Sequence, residues 1–442
     1  MTLAEAKSLL AVLQQRIVER QAAAFLATCM HCQTCGTALS TKGQHSRTLR
    51  TLFGTVTLTS PRLRYCQCTS QTATTFSPLM ALLSEQVAPE LLFMETKWSS
   101  LVSYGLTVQA LTDFLPVDAT LSVSTVRSNA LAVAQRCEAE LGDEQMSFIE
   151  GCPRDWGNLP IPDGPITVGI DGGYVRDWDE KKRQFEVIVG KSILAFTRDD
   201  AEDIPSSKCF GFVQTFDAKP KRRLFEVLQS QGLQMNQQVT FMSDGGDTVR
   251  ELQLYLSPEA DHLLDWFHLA MRLTVLQQTA KGLPEKTSDG EETYELRDPV
   301  VRELDRLKWF VWHGNVYKAL QVVQSVEMAL DAAAHTGDGT ARKLYKAVEE
   351  FHTYIANNKC FIPNYGERYR AGERISTGFV ESTVNQVISK RFCKKQQMQW
   401  TKYAAHLLLQ MRVKTLNHEL RAVFRRWYPD FPVEEEEEPQ AA

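Results

Sequence analysis

The sequence predicts an α+β chain of several domains, in which a cysteine-bearing head and a helical domain precede a mixed β-sheet core that an all-helical stretch interrupts. Three observations lead there. Cys29, Cys32, Cys35, Cys66 and Cys68 crowd into the first seventy residues, while the other five of the ten cysteines are scattered. Short β-rich runs that first follow one another and then alternate with helices occupy the middle of the chain, a pattern that gives a mixed sheet with helices on its faces. The stretch between Asp244 and Glu381 is helical in pattern and far too long for a loop, so it must be an inserted helical domain.

A chain of 442 residues exceeds what one core usually fills. With 43% apolar and 23% charged residues its composition is that of an ordinary globular protein. MTLAEAKSLLAVLQQRIVER, over residues 1–20, is interrupted by Glu5, Lys7, Arg16, Glu19 and Arg20, and reads as an amphipathic helix rather than a signal peptide. No apolar run approaches the roughly 18 residues of a membrane span, so no membrane partner and a cytoplasmic location are expected. The formal charge of -5 is owed to the tail, because without Glu434 to Glu438 the 54 acids would balance the 49 Lys and Arg. That tail is expected to be disordered. Basic residues are bunched in KPKRR at 219–223, SKRFCKK at 389–395 and RAVFRRW at 421–427, either as solvated faces or as a phosphate-facing track.

In ATCMHCQTCGTALS the two-residue gap between Cys32 and Cys35 lets both thiolates meet one ion from a tight turn. TLFGTVTLTSPRLRYCQC alternates like a hairpin and closes on Cys66 and Cys68, so the four describe a zinc-ribbon-like module with a structural Zn²⁺. The Cys-x-Cys spacing is tighter than usual, which leaves Cys29, His31 and His45 as substitutes and a reduced, metal-free hairpin as the alternative. Three short helical segments follow between Pro89 and Leu141. They fit either a helix-turn-helix-like DNA-binding domain, with Arg127 and Asn129 near the start of its third helix, or a helical connector. The domains expected are an N-terminal helix over 1–27, the zinc-ribbon-like module over 28–78, the helical domain over 79–150, a linker over 151–164, a sheet core in two parts over 165–272 and 373–415, the helical insertion over 273–372, and a C-terminal helix with the acidic tail over 416–442.

TVGIDGGYVR places Asp171 at the end of an apolar run and before two glycines, which is either a plain turn or an acid whose burial a metal ion offsets. QVTFMSDGGDTVR repeats the pattern at Asp244. Two strands that end alike point both carboxylates into the crevice at the carboxyl ends of a sheet. Asp247 is expected to cap the next helix. A two-cation site for phosphoryl transfer needs a third acid, and Glu381, opening the helix in ISTGFVESTVNQVISKRF, fits better than Glu373. Its plain alternative is an acid in a first helical turn. In HLLDWFHLAMRL, Asp265 and His268 share a helical face, as a structural pair or as support beside the acids. Trp309 and Trp312 are expected to pack the core of the insertion.

GIDGGYVR, FMSDGGDTVR, DWFHLAMRL, LKWFVWHGN, GFVESTVNQVISKRF and MQWTKYAAHLLLQMRVKTLN, in this order, resemble bacterial insertion-sequence transposases of the ISKra type, and FGTVTLTSPRLRYCQC is similar to their cysteine-bearing head. The likeness covers most of the chain. It implies a DDE enzyme with an RNase H-like core, in which Asp171, Asp244 and Glu381 are the catalytic acids and hold two Mg²⁺ or Mn²⁺ ions. Asp265 and His268 then match a supporting D-x-x-H element. The implied reaction is metal-dependent hydrolysis at the ends of the element, followed by attack of the freed 3′-hydroxyl on target DNA. The implied partners are the inverted repeats, target DNA and further copies of the chain in a synaptic complex. Lys390, Arg391, Lys394 and Lys395 would contact backbone phosphate, and Gly172 with Gly173 would clear the approach of the scissile group. The alternatives are a catalytically idle DNA-binding regulator and an RNase H-fold nuclease that does not join strands.

Overall fold

The computed structural model describes residues 1–432 apart from 69–73, 84, 163, 195–206, 247–251, 253–255, 258, 290–291, 336–337 and 394–397. The chain divides into two compact units, Met1–Glu140 with Leu407–Ala442, and Leu141–His406.

The first unit opens with α1 (Leu3–Thr28), whose N-terminus is closed by a reciprocal pair: the Thr2 hydroxyl accepts from Glu5 N and the Glu5 carboxylate accepts from Thr2 N. Strands β1 (Thr41–Thr51) and β2 (Gly54–Arg64) form an antiparallel hairpin, and the short β3 (Thr75–Phe76) adds to β2. Alternate residues of β2 are buried, and Val56 and Leu58 meet Val18, Ala22, Phe25 and Leu26 of α1. Next come α2 (Pro89–Leu101), α3 (Tyr104–Phe114) and α4 (Val123–Glu140). Proline at the first position of α2 and the Ser103 hydroxyl, which accepts from Leu106 N, start the first two. Leu407 and Met411, expected in the second part of the sheet core, and Leu420, Val423, Phe424 and Phe431, expected in a C-terminal element, instead complete this core by packing with Phe93, Val133, Ala134 and Cys137. The boundary expected at 416 is therefore displaced, and it falls inside the helix Lys402–Leu416.

The second unit holds a five-stranded mixed sheet of β4 (Ile166–Arg176), β5 (Gln184–Leu194), β6 (Lys208–Val213), β7 (Val239–Ser243) and β8 (Ala260–Leu264). Its spatial order is β6-β5-β4-β7-β8, with β4, β5 and β6 antiparallel and β7 and β8 parallel to β4. One face is sealed by α5 (Pro220–Ser230), whose Leu224, Phe225 and Leu228 join Ile166, Val168, Ile170 and Ile188 in the core. The helix expected from DTVRELQLYL lies for most of its length outside the described residues. Strand β8 was not expected, because ADHLL is short and carries two polar residues.

The insertion is helical, as expected, but begins earlier. Helix α6 (Trp266–Ala280) already buries Leu269, Leu273 and Leu276 in the cluster that it shares with α7 (Arg297–Trp312), α8 (Val316–His335) and α9 (Gly339–Asn357). The boundary expected at 272 thus moves to the start of α6. Strands Lys286–Asp289 and Glu292–Glu295 form an unforeseen hairpin between α6 and α7. The chain returns to the sheet as α10 (Gly378–Val384), which continues through a π-helical turn, Asn385–Ser389, and a last turn, Lys390–Phe392.

Candidate functional site

Asp171 is not at the end of its strand. β4 pairs with β5 in unbroken register from Ile166 to Arg176, so Gly172 and Gly173 are extended residues and not a turn. What ends beside Asp171 is the parallel neighbour. β7 pairs with β4 only as far as Gly169↔Met242, and Asp244 follows its last residue. The two acids therefore meet at the carboxyl edge of the sheet, where open α/β sheets bind ligands. Gly245, with φ +89, turns the chain away after Asp244, and a side chain there would strike Asn358 and Leu264. From the insertion, Tyr354 donates a 2.8 Å hydrogen bond to the Asp244 carbonyl, so α9 braces this loop.

The helix bearing Glu381 lies directly on Asp171's face of the sheet. A Cβ on Gly169 would stand 2.2 Å from Val380 Cγ2, and one on Gly173 would stand 2.8 Å from Ile388 Cδ1. Asp171 alternates with these two glycines and so faces the same helix. Gly173 thus gives clearance to a helix rather than to phosphate. Gly172 points to the opposite face, where its hypothetical Cβ would be 2.6 Å from Glu186 Oε1.

Asp265 ties the parts together. It caps α6 by accepting from Phe267 N at 2.9 Å, and it accepts from Thr377 N at 3.0 Å and from the Thr377 hydroxyl. Thr377 is the residue from which α10 starts, so a buried carboxylate fixes the root of the Glu381 helix. His268 Nδ1 lies 2.7 Å from Asp265 Oδ2, which holds the imidazole beside the acids. Burial works against the charge of Asp265, but the bonds from His268 and Thr377 outweigh it and keep its carboxyl below the usual value. The hydrogen bond to Asp265 raises His268, against burial, and the charges of Asp171 and Asp244 add to the rise. Burial pushes the carboxyl of Asp171 up, Asp244 pushes in the same direction, and Gly172 N, 2.7 Å away, and His268 oppose them.

Glu186 is an acid that sequence reasoning missed. Burial and then the charges of Asp244 and Asp171 raise its carboxyl. The one acid in the strand-like QFEVIVGKSI was the available signal. Glu381 itself is exposed, and Glu373, the weaker candidate, is spent on Arg368 at 2.7 Å. The ligand atoms of Asp171, Asp244 and Glu381 do not form a set lying within 4.8 Å of one another; among the described residues the group that does is Cys32, Cys35, Cys66 and Cys68.

The expected cationic contacts divide. Lys390 is exposed, whereas Arg391 is 1% exposed with its guanidinium 5.0 Å over the Trp400 ring, on the inner side of its helix turn and away from any backbone phosphate. Lys394, Lys395 and Asp247 lie outside the described residues. On α4, Arg127 is exposed, but Asn129 turns inward and donates a 2.7 Å bond to the buried Glu95. In KPKRR, Arg223 reaches the buried Asp217 at 2.6 Å and His406 at 2.9 Å, so it is structural. Trp312 packs against Trp266 and Tyr365 as expected, while Trp309 is 58% exposed.

The four cysteines converge from the turn after α1 and the end of β2. Their sulfurs are 3.4 Å apart for Cys35 and Cys66, and 3.5 Å for Cys32 and Cys68 and for Cys35 and Cys68. Tetrahedral zinc with sulfur at about 2.3 Å separates its ligands by about 3.8 Å, so the donor set fits the ion closely. The Thr37 hydroxyl, 3.3 Å from Cys35, holds that thiol down to about 6, while its cysteine neighbours push Cys68 up to about 12. Four thiols at this spacing cannot all ionise without a cation. Cys29, His31 and His45 are not members of the cluster.

No protein-family model matches the chain, and no curated protein is significantly similar to it. No helix among the described residues is long and apolar enough to cross a membrane.

Proposed function

We propose that the protein is a metal-dependent DNA transposase of the DDE type, built on an RNase H-like core, with a zinc-stabilised head. The observation that carries this reading is the assembly at one sheet edge of Asp171, Asp244 and the helix of Glu381, with Asp265 and His268 holding that helix and a polar edge in place. Carboxylates from separate elements suit hard cations such as Mg²⁺ or Mn²⁺. Among the described residues none of the three acids has a Lys or Arg partner, which leaves their oxygens open to added cations. Two such ions, when bound, activate a water and offset charge on the leaving oxygen.

The chain's own residues supply the rest. Asp171 and Asp244 offer oxygens from a paired strand and from a loop that Tyr354 braces. Glu381 is exposed on a helix whose root Asp265 pins. The Asp265–His268 pair places a donor beside the two aspartates, where it can meet a phosphate oxygen. The three helices α2 to α4, with Arg127 outward, are the surface proposed to read the inverted repeats. Further copies of the chain would complete the synaptic assembly.

The test uses the full chain with Mg²⁺ or Mn²⁺ and labelled DNA carrying short inverted repeats from the sequence flanking its gene. Cleavage that leaves a 3′-hydroxyl, followed by joining to target DNA, is expected. Asp171→Ala, Asp244→Ala and Glu381→Ala should each reduce cleavage at least a hundredfold, in line with loss of groups that stabilise transition-state charge. Cleavage without joining would favour a nuclease. Binding of the repeats with no cleavage would favour a regulator.

A further inference from the structure

We propose that the outer half of the β4–β5 hairpin is a docking surface for an unpaired DNA strand, with Trp178 stacking on one of its bases. The two strands stay paired for five residues beyond Asp171, to Arg176↔Gln184, which carries the hairpin about 17 Å past the acids. The core that α5 covers ends at Ile170 and Ile188. Beyond it, on the same face, Tyr174 is 62% exposed and Arg176 is exposed.

The turn that follows is held rigidly. Asp177 N donates to Arg183 O at 3.1 Å, Trp178 N to Trp400 O at 2.9 Å, and Arg183 N to Glu180 O at 2.7 Å. The buried Asp177 carboxylate accepts from Asp179 N at 2.9 Å and faces Lys402 at 3.8 Å. On this fixed turn Trp178 is 57% exposed. An indole more than half exposed, presented on a braced loop, is a preorganised stacking face, because little entropy remains to be lost when a partner arrives.

The local charge selects the partner. Asp177 is matched by Lys402, and Glu180 by Arg183 at 3.0 Å. Arg176, Lys181 and Lys182 have no carboxylate within 4 Å among the described residues, against Asp179 at the turn and the half-buried Glu186 opposite Tyr174 on the acidic side. Aromatic faces interleaved with surplus cations fit single-stranded nucleic acid, whose phosphates meet the cations and whose bases meet the rings. A base inside a duplex is stacked on both faces, so the strand proposed here is unpaired. The acids collect cations at one end of the hairpin, and the hairpin's cations hold the strand that leaves them.

The assignment of DNA rests on reading the acids as a cleavage site, so the test measures binding alone. The full chain, in buffer free of Mg²⁺ and Mn²⁺, is titrated into a duplex with a short single-stranded extension bearing 2-aminopurine. Quenching of the fluorophore is expected. Trp178→Ala should abolish the quench and weaken binding about tenfold, with blunt duplex bound as before, while Trp178→Phe retains both quench and affinity. Lys181→Ala combined with Lys182→Ala should lower the salt dependence by about 1.4 in slope. Equal affinity of Trp178→Ala and the unmutated chain for the tailed DNA, or a quench that survives the change, overturns the proposal and leaves the cleavage reading standing. A quench that depends on Trp178 in a chain that cuts nothing upholds the hairpin and removes the cleavage reading.

Discussion

Two buried carboxylates show how differently one residue type can be carried. Asp265 is fully buried and is met by the hydrogen-bond donors of Phe267, His268 and Thr377. Replacing it by Ala strands those donors and should destabilise the second unit by about 3 kcal/mol, read from urea denaturation. Glu95 in α2 is equally buried, yet only Asn129 bonds it, through Oε2, and Oε1 has no partner. Burial raises its carboxyl, with Asn129 and Arg50 opposing. A folded-state value above the unfolded one means that the native state holds the proton more tightly. Its contribution is fully present below the ordinary glutamate value and is lost as pH rises through the raised one. Glu95→Gln should therefore remove a fall in first-unit stability with rising pH, and should leave that unit at least as stable at pH 7 as the unmutated chain. A pH-stability profile that Glu95→Gln does not change would refute the account.

At the scale of elements, the contact of α10 with β4 is made by what the strand lacks. Gly169 and Gly173 leave room for Phe379, Val380, Val384 and Ile388, so the helix that bears Glu381 sits on backbone. Gly169→Ala would drive a methyl into Val380 and Phe379 and should cost about 1–3 kcal/mol while displacing Glu381. Gly172→Ala meets only the flexible end of Glu186 and should be tolerated in thermal denaturation. Equal losses for both variants would show that the helix does not depend on this clearance. This pair of glycines also marks where the sequence misleads. A DG dipeptide after an apolar run reads as a turn, yet β5 supplies partners through Arg176 and the strand continues, because pairing across the sheet overrides local turn preference. The strands that carry Asp171 and Asp244, the helical stretch between them and Glu381, and the three helices of the first unit were legible because each leaves a periodic or repeated local pattern. Strand β8, the inward turn of Asn129 and Arg391, and the exposure of Trp309 were not. Those depend on which neighbour arrives from far along the chain, and no window of sequence contains it.

The whole molecule divides so that the cysteine cluster and the acids at the sheet edge fall in different units. The four cysteines belong to Met1–Glu140 with Leu407–Ala442, and the acids to Leu141–His406. The head around the cysteines has a small core, with Val56, Leu58, Leu63 and Leu79 as its buried aliphatic residues among those described, which is little apolar surface to hold a hairpin of two eleven-residue strands. A bound ion that is absent from the unfolded chain would supply the difference, since ligand binding to the folded form alone adds directly to stability. Purified protein is therefore expected to contain one zinc per chain, lost in Cys32→Ser and Cys66→Ser. Chelation should make the β1–β2 region susceptible to protease at concentrations that leave the β4–β8 sheet intact. Those two signals test the role of the ion: a chelator that removes zinc and leaves β1 and β2 as protected as before would show that the hairpin holds itself together, and that the cysteines serve something other than the fold.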